Sequence, residues 1–231
     1  MQIHGFVKTT LLDYPKHVAA TIFTGGCNFR CPFCHNGNLV LHPNNTPTIP
    51  EQEILSYLEK RKHLLDGVCI TGGEPTLQPD LITFITKIKH LGLLVKLDTN
   101  GYQPDVLKEL LEQHLLDYVA MDIKNSKEKY AITTSLPNFD IERINASIHL
   151  LQNGGIPYEF RTTVVKQLHS EEDMLKISEW IKHTPAYFLQ SYKENEHVIS
   201  PGFSAYSKEE LLHIKNLILS NIPTVEIRGV D

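Results

Sequence analysis

Several absences bound what this 231-residue chain can be. No apolar run approaches the ~18 residues of a membrane-spanning helix. The N-terminus, Met-Gln-Ile-His-Gly, lacks the basic and apolar regions of a signal peptide. A membrane partner is therefore not expected, and the cytoplasm is the expected compartment. Positive charge is not in excess: 22 Lys and Arg stand against 27 Asp and Glu, and they are scattered, so the basic stripe of a nucleic-acid binder is missing. There is no low-complexity tract and hence no expected disordered arm. The 12 histidines form no His-Glu-x-x-His motif, which argues against a histidine-based zinc site. Cysteine is scarce: there are four, three of them within eight residues, an arrangement that cannot staple a chain of this length. In a cytosolic protein such a cluster points to a metal or catalytic site rather than disulfides.

What is present is a repeated unit, a helix opening near proline or an acidic residue followed by a short apolar strand. Strands are expected at 18–23, 67–71, 93–97, 118–123, 158–165, 186–189 and 224–227. Between them, helices follow Pro50-Glu51, Pro79 (placed at the first helical position), Pro104, the Ile141/Ile144/Ile148 stripe, Ser170 (171–182) and the capping box Ser207 to Glu210. Residues 2–15 read as a strand or hairpin covering one end of the core. Strands alternating with helices predict α/β architecture: one domain, a partial (β/α)6 barrel of parallel strands with outer helices. Residues 1–17 would form an N-terminal lid, 18–190 the barrel core, and 191–231 a C-terminal loop, helix and strand.

Such sheets keep their chemistry at the C-terminal ends of the strands. Past the first core strand stand Cys27, Cys31 and Cys34 at Cys-x3-Cys-x2-Cys spacing. Thiolates select iron–sulfur clusters or zinc, and four are usual for either, so a ligand is missing. Past the next strands come Gly72-Gly73-Glu74-Pro75, Asp98-Thr99-Asn100-Gly101, and Asp122-Ile-Lys124, with Arg161 in the fifth. Taken singly, the glycine pair also fits a plain strand-to-helix turn, Asp98 to Gly101 a β-turn, and Asp122/Lys124 a solvated ion pair. Cys69, inside an apolar strand, fits a buried small hydrophobe. Together these residues suit a metal cluster beside a polar cofactor bearing an amine and a carboxylate.

The three-cysteine spacing, with Phe33 before the last cysteine, resembles the signature of the radical S-adenosylmethionine superfamily. Cys34-His35-Asn36, Gly72-Gly-Glu-Pro75, Asp98-Thr-Asn-Gly101 and Asp122-x-Lys124 are similar to the activating enzymes of glycyl radical enzymes. Gly5-Phe-Val-Lys-Thr-Thr-Leu-Leu-Asp-Tyr-Pro15 and the run Phe23 to Asn36 narrow the resemblance to activases of anaerobic ribonucleotide reductases. The resemblance implies one [4Fe–4S] cluster on Cys27, Cys31 and Cys34, with S-adenosylmethionine filling the open iron. It implies that Gly72, Gly73 and Glu74 meet the methionine amine, that Arg161 meets its carboxylate, and that Lys124 and Thr99 meet the carboxylate or ribose. Phe33, Cys34 and His35 would border the adenine, Asn100 would join Asp98 and Thr99 of its own motif among the cofactor-binding residues, and Lys124 would belong with the cysteines to the catalytic set. Asp98, Thr99 and Asp122 match positions that hold a monovalent cation in related activases. The implied partners are a glycyl radical enzyme, an anaerobic ribonucleoside-triphosphate reductase, and a flavodoxin or ferredoxin as electron donor. One departure stands out: in the pyruvate formate-lyase branch a histidine follows a late tyrosine, whereas Tyr192 here precedes Lys193.

Two other functions share these residues. One is radical chemistry on a small molecule such as a deazapurine precursor, on the same core. The other is a structural zinc with His35 as fourth ligand, against which stands the preference of zinc for a closed tetrahedral set.

Overall fold

The structure, a computed structural model, describes residues 1–230. Eight strands lie in one sheet in sequence order: β1 (Ile3–Thr10), β2 (Ala19–Thr24), β3 (Gly67–Gly72), β4 (Leu94–Thr99), β5 (Tyr118–Asp122), β6 (Tyr158–Val164), β7 (Tyr187–Ser191) and β8 (Val225–Arg228). From β2 onward every pairing is parallel, and only β1 runs antiparallel, along β2. β1 and β8 do not pair, so the barrel stays open. No helix among the described residues is long and apolar enough to cross a membrane.

Six crossovers join the parallel strands, as the alternation of patterns predicts. The helices are α1 (Gly37–Leu41), α2 (Glu51–Arg61), α3 (Leu81–His90), α4 (Pro104–Glu112), α5 (Lys127–Thr134), α6 (Ile141–Asn153), α7 (Glu171–Trp180) and α8 (Lys208–Ile218). The predicted caps are present: Ser207 and Glu210 form a reciprocal box at α8, and Ser170 pairs likewise with Asp173 at α7. Pro104 opens α4, but Pro79 does not open α3, which starts two residues later at Leu81 after a short 3-10 turn at Pro75–Leu77. Helix α7 stops at Trp180 rather than 182, and His183 beyond it takes a positive φ of 67°. Helix α5 has no counterpart in the predicted elements, because its sequence Lys-Glu-Lys-Tyr-Ala-Ile-Thr-Thr carries no apolar stripe and buries Tyr130, Thr133 and Thr134 instead.

The strands sort their side chains by period two. On β4 to β6, Val95, Leu97, Val119, Met121, Phe160 and Val164 enter the apolar core, each fully buried. Their neighbours Lys96, Asp98, Asp122, Glu159 and Arg161 take the opposite, inner face. Along β4 to β6 the barrel interior is therefore polar and charged, and these strands are not apolar on both faces.

Candidate active site

At the C-terminal ends of the strands lies a cavity of about 230 Å³. Its wall includes every residue singled out from the sequence as a site candidate, from Cys27 to Arg161, whereas Cys69 is not in the wall. Cys69 sits lower in β3, fully buried, with its sulfur 3.7 Å from the Lys96 ammonium. Phe29, Val40, Thr71, Thr163 and Gln190 also line the cavity and were not anticipated, and Asn36, given no role from the sequence beyond its place in the Cys34-His35-Asn36 motif, lines it too. Gln190 carries a strand-end signal, since it directly follows the predicted strand 186–189 and is the penultimate residue of β7.

The cysteine loop is held by backbone hydrogen bonds. Gly26 donates its N–H to the Leu39 carbonyl at 2.8 Å, and its own carbonyl accepts from Glu74 N at 2.8 Å. Gly73 donates to Thr24 at 2.9 Å, so the loop is laced to the end of β3. A Cβ on Gly73 would stand 2.0 Å from the Gly26 carbonyl oxygen. Absence of a side chain at Gly73 thus serves the packing of the loop itself. Gly73→Ala should push β3 and the loop apart at a cost of about 1–3 kcal/mol, as overpacking does. The expected result is a folded chain that loads markedly less iron, read as iron and sulfide per chain after anaerobic reconstitution; undiminished loading would show that the loop can yield.

Burial governs the thiols. With Glu74 nearby, it pushes Cys27 up to about 12, and burial pushes Cys31 up to about 11. Cys27 Sγ already accepts the Phe29 N–H at 3.3 Å, and Asn100 Nδ2 lies 3.8 Å away. Asn100 Nδ2 donates to Asn28 Oδ1 at 2.8 Å, leaving the buried Asn28 Nδ2 without a partner.

Glu74 is 1% exposed, and its carboxylate is consumed within the protein. It accepts from Thr76 N at 3.0 Å, Thr76 Oγ1 at 2.5 Å, Thr99 Oγ1 at 2.7 Å and Asn100 N at 2.6 Å. These bonds clamp the end of β3 to the end of β4, although burial still raises its pKa.

Five charges alternate in a row of which Asp98, Arg161, Asp122 and Lys124 line the cavity and Lys96 lies beneath it. Lys96 contacts Asp98, which meets Arg161 at 3.2 Å; Arg161 meets Asp122 at 2.9 Å, and Asp122 meets Lys124 at 2.8 Å. Register makes the row continuous, because Asp122 and Arg161 are direct partners across β5 and β6. Burial alone would raise Asp122, yet Arg161 and Lys124 hold it down to about 2, and Arg161 with Lys96 likewise holds Asp98 below the usual carboxylate range. Burial opposes the Lys124 ammonium too, but Asp122 keeps it charged.

His35 stacks on Tyr192 with ring centroids 5.5 Å apart, and its Nε2 lies 2.6 Å from the Lys193 carbonyl. That places the late Tyr-Lys pair against the cysteine loop through a ring and a backbone group rather than a second histidine. The Lys193 carbonyl thus takes His35 Nε2 and fixes the ring beside Cys34, leaving Nδ1 as its remaining nitrogen.

A family profile described as the Radical SAM superfamily matches residues 21–181. A Methanocaldococcus jannaschii protein named as a glycyl-radical enzyme activating enzyme is 35% identical over 198 residues, covering 84% of this chain and 81% of that protein. The pyruvate formate-lyase-activating enzyme of Clostridium pasteurianum is 28% identical over 189 residues, covering 79% and 76%. Among solved structures, a domain of pyruvate-formate lyase-activating enzyme from Bacteroides vulgatus aligns with a TM-score of 0.58 at 19% identity, over 71% of this chain and 99% of that one. Streptococcus suis SuiB bound to S-adenosylmethionine aligns at 0.69 and 16% identity, over 88% of this chain and 48% of its own. At these identities the two structures speak for the fold.

Proposed function

The chain belongs to the Radical SAM superfamily, among the glycyl-radical enzyme activating enzymes, and we propose that its partner is an anaerobic ribonucleoside-triphosphate reductase. The superfamily works with a [4Fe–4S] cluster and S-adenosylmethionine, and the cavity suits both. The carrying observation is that three thiols, with no fourth cysteine in the wall, share one cavity with a row of alternating charges. Three soft ligands leave one iron open, and the charged row offers both signs to an amino acid moiety.

When bound, the cluster and S-adenosylmethionine together supply a 5′-deoxyadenosyl radical that takes a hydrogen atom from the partner's glycine. Everything else is the work of the chain: it binds, orients and keeps water out. Cys27, Cys31 and Cys34 would hold the cluster. Gly72 and Gly73 present backbone to the cavity for the methionine amine, while Glu74 acts by clamping Thr99 and Asn100 behind them. Arg161 faces the methionine carboxylate with a guanidinium already oriented by Asp98 and Asp122, and Lys124 reaches the carboxylate or ribose. Phe33 and His35 border the adenine. A flavodoxin or ferredoxin would deliver the electron.

Support for the reductase over other partners is the run Gly5 to Pro15 together with Phe23 to Asn36, and the Tyr192-Lys193 pair where the pyruvate formate-lyase branch carries histidine. The test is anaerobic incubation of the reduced, reconstituted protein and S-adenosylmethionine with an anaerobic ribonucleoside-triphosphate reductase or with pyruvate formate-lyase. Electron paramagnetic resonance should show a glycyl radical on the reductase. A signal confined to the lyase would sink the assignment of partner, and deoxyadenosine release driven by a metabolite alone would favour the small-molecule reading.

A further inference from the structure

Lys96 is the least expected member of the charged row. It lies mid-strand, 2% exposed, on the inner face of β4 two residues before Asp98. A lysine so placed loses its hydration, and it remains charged only where an anion compensates. That anion is Asp98, with the Cys69 sulfur as its other neighbour at 3.7 Å.

All four oxygens of the two floor carboxylates are thereby met by cationic side chains. Asp98 Oδ1 contacts Lys96 and its Oδ2 accepts from Arg161 Nη1; Asp122 Oδ1 accepts from Arg161 Nε and its Oδ2 from Lys124 Nζ. Thr99 Oγ1, the remaining oxygen of the trio that matches a cation site in related activases, donates to Glu74 and accepts the Gly101 N–H at 3.1 Å. The donor set for a monovalent cation is thus already engaged. Lys96, Arg161 and Lys124 against Asp98 and Asp122 leave an excess of one positive charge, to which a metal ion would add a second. Like charges brought together in a partly dry site repel.

We propose that Lys96 is an internal counter-cation, a positioning residue that holds the Asp98–Arg161–Asp122–Lys124 row in place without a bound monovalent cation. Its cofactor readout rests on the function proposed above; its cation readout does not.

The experiment compares reconstituted holoprotein in potassium, sodium and choline chloride at equal ionic strength. S-adenosylmethionine affinity is followed by calorimetry, and unfolding temperature is measured on the same samples. The wild type should show the same affinity within about twofold in all three salts, and an unchanged unfolding temperature. In choline, Lys96→Met should lose about tenfold or more in affinity, since Asp98 Oδ1 loses its cationic partner and only Arg161 remains on the other oxygen. Potassium or sodium should restore much of that loss by entering the space the ammonium leaves. Lys96→Arg, which keeps the charge, should stay indifferent to the salt. A wild type that loses about tenfold in affinity on transfer to choline overturns the proposal. So does a rubidium peak between Asp98 and Asp122 in anomalous diffraction from soaked crystals. Should S-adenosylmethionine fail to bind in any salt, the cofactor reading fails separately, and a choline-induced fall in wild-type unfolding temperature would still decide against the internal cation.

Discussion

Cys31→Ala is expected to leave a folded chain that retains almost no iron and makes no glycyl radical. Cys31 is buried within the cysteine loop, and its backbone carbonyl accepts the Cys34 N–H at 3.0 Å, a turn that does not need its sulfur. The loop's shape rests on Gly26, Leu39, Thr24 and Glu74 through main-chain bonds, so losing one thiol removes a metal ligand without removing the platform. Two thiols cannot hold a cluster that three are needed to hold, and Cys27→Ala and Cys34→Ala should behave alike. Cys69→Ala is the contrasting case. Its sulfur faces Lys96 below the cavity, so the change should cost about 1 kcal/mol of packing and leave iron content at the wild-type level. Iron and sulfide per chain after anaerobic reconstitution, with circular dichroism to confirm folding, separates the two outcomes. Iron retained by Cys31→Ala, or lost by Cys69→Ala, would reassign the ligands.

This contrast was legible in the sequence because ligand spacing and strand-end position are local properties. Cys27, Cys31 and Cys34 follow one strand directly, while Cys69 lies inside another, and period-two alternation already put Asp122 and Lys124 on one side. What was hidden depends on partners distant in the chain. Glu74 looks like a cofactor contact from its motif, yet whether its oxygens are available is decided by Thr99 and Asn100, about 25 residues away in a neighbouring strand. Gly73 looks like a place for a ligand to approach, but the atom that occupies its missing Cβ is a carbonyl of the cysteine loop. Lys96 reads as an interruption in an apolar strand until the sheet sets it against Asp98. Helix α5 escaped because it is held by buried hydroxyls and Tyr130 rather than by an apolar stripe, so amphipathic periodicity gives no sign of it.

Arg161→Met should be the most damaging substitution that touches no thiol, because one guanidinium holds two carboxylates. Its Nε donates to Asp122 and its Nη1 to Asp98, and the side chain is 12% exposed, so water replaces little of what is lost. Removing one partner from a buried ion pair costs about 3–5 kcal/mol. Here two carboxylates lose a neighbour, each keeping one lysine: Lys96 for Asp98 and Lys124 for Asp122. The sign with pH follows from Asp122. Burial favours its neutral form, but Arg161 and Lys124 hold the wild-type carboxyl at about 2, below its unfolded value. Its stabilising contribution is therefore complete above the unfolded carboxylate range near ~4 and is lost as pH falls through about 2. In Arg161→Met the folded pKa rises toward or past the unfolded one, so the acid limb of stability should move to higher pH. Unfolding temperature followed from neutral pH down to about 3 should show the variant losing stability first, with S-adenosylmethionine affinity falling in parallel at neutral pH. If affinity fell while the acid limb stayed in place, Arg161 would be a cofactor contact alone; if both stayed, the charged row would not depend on its central cation.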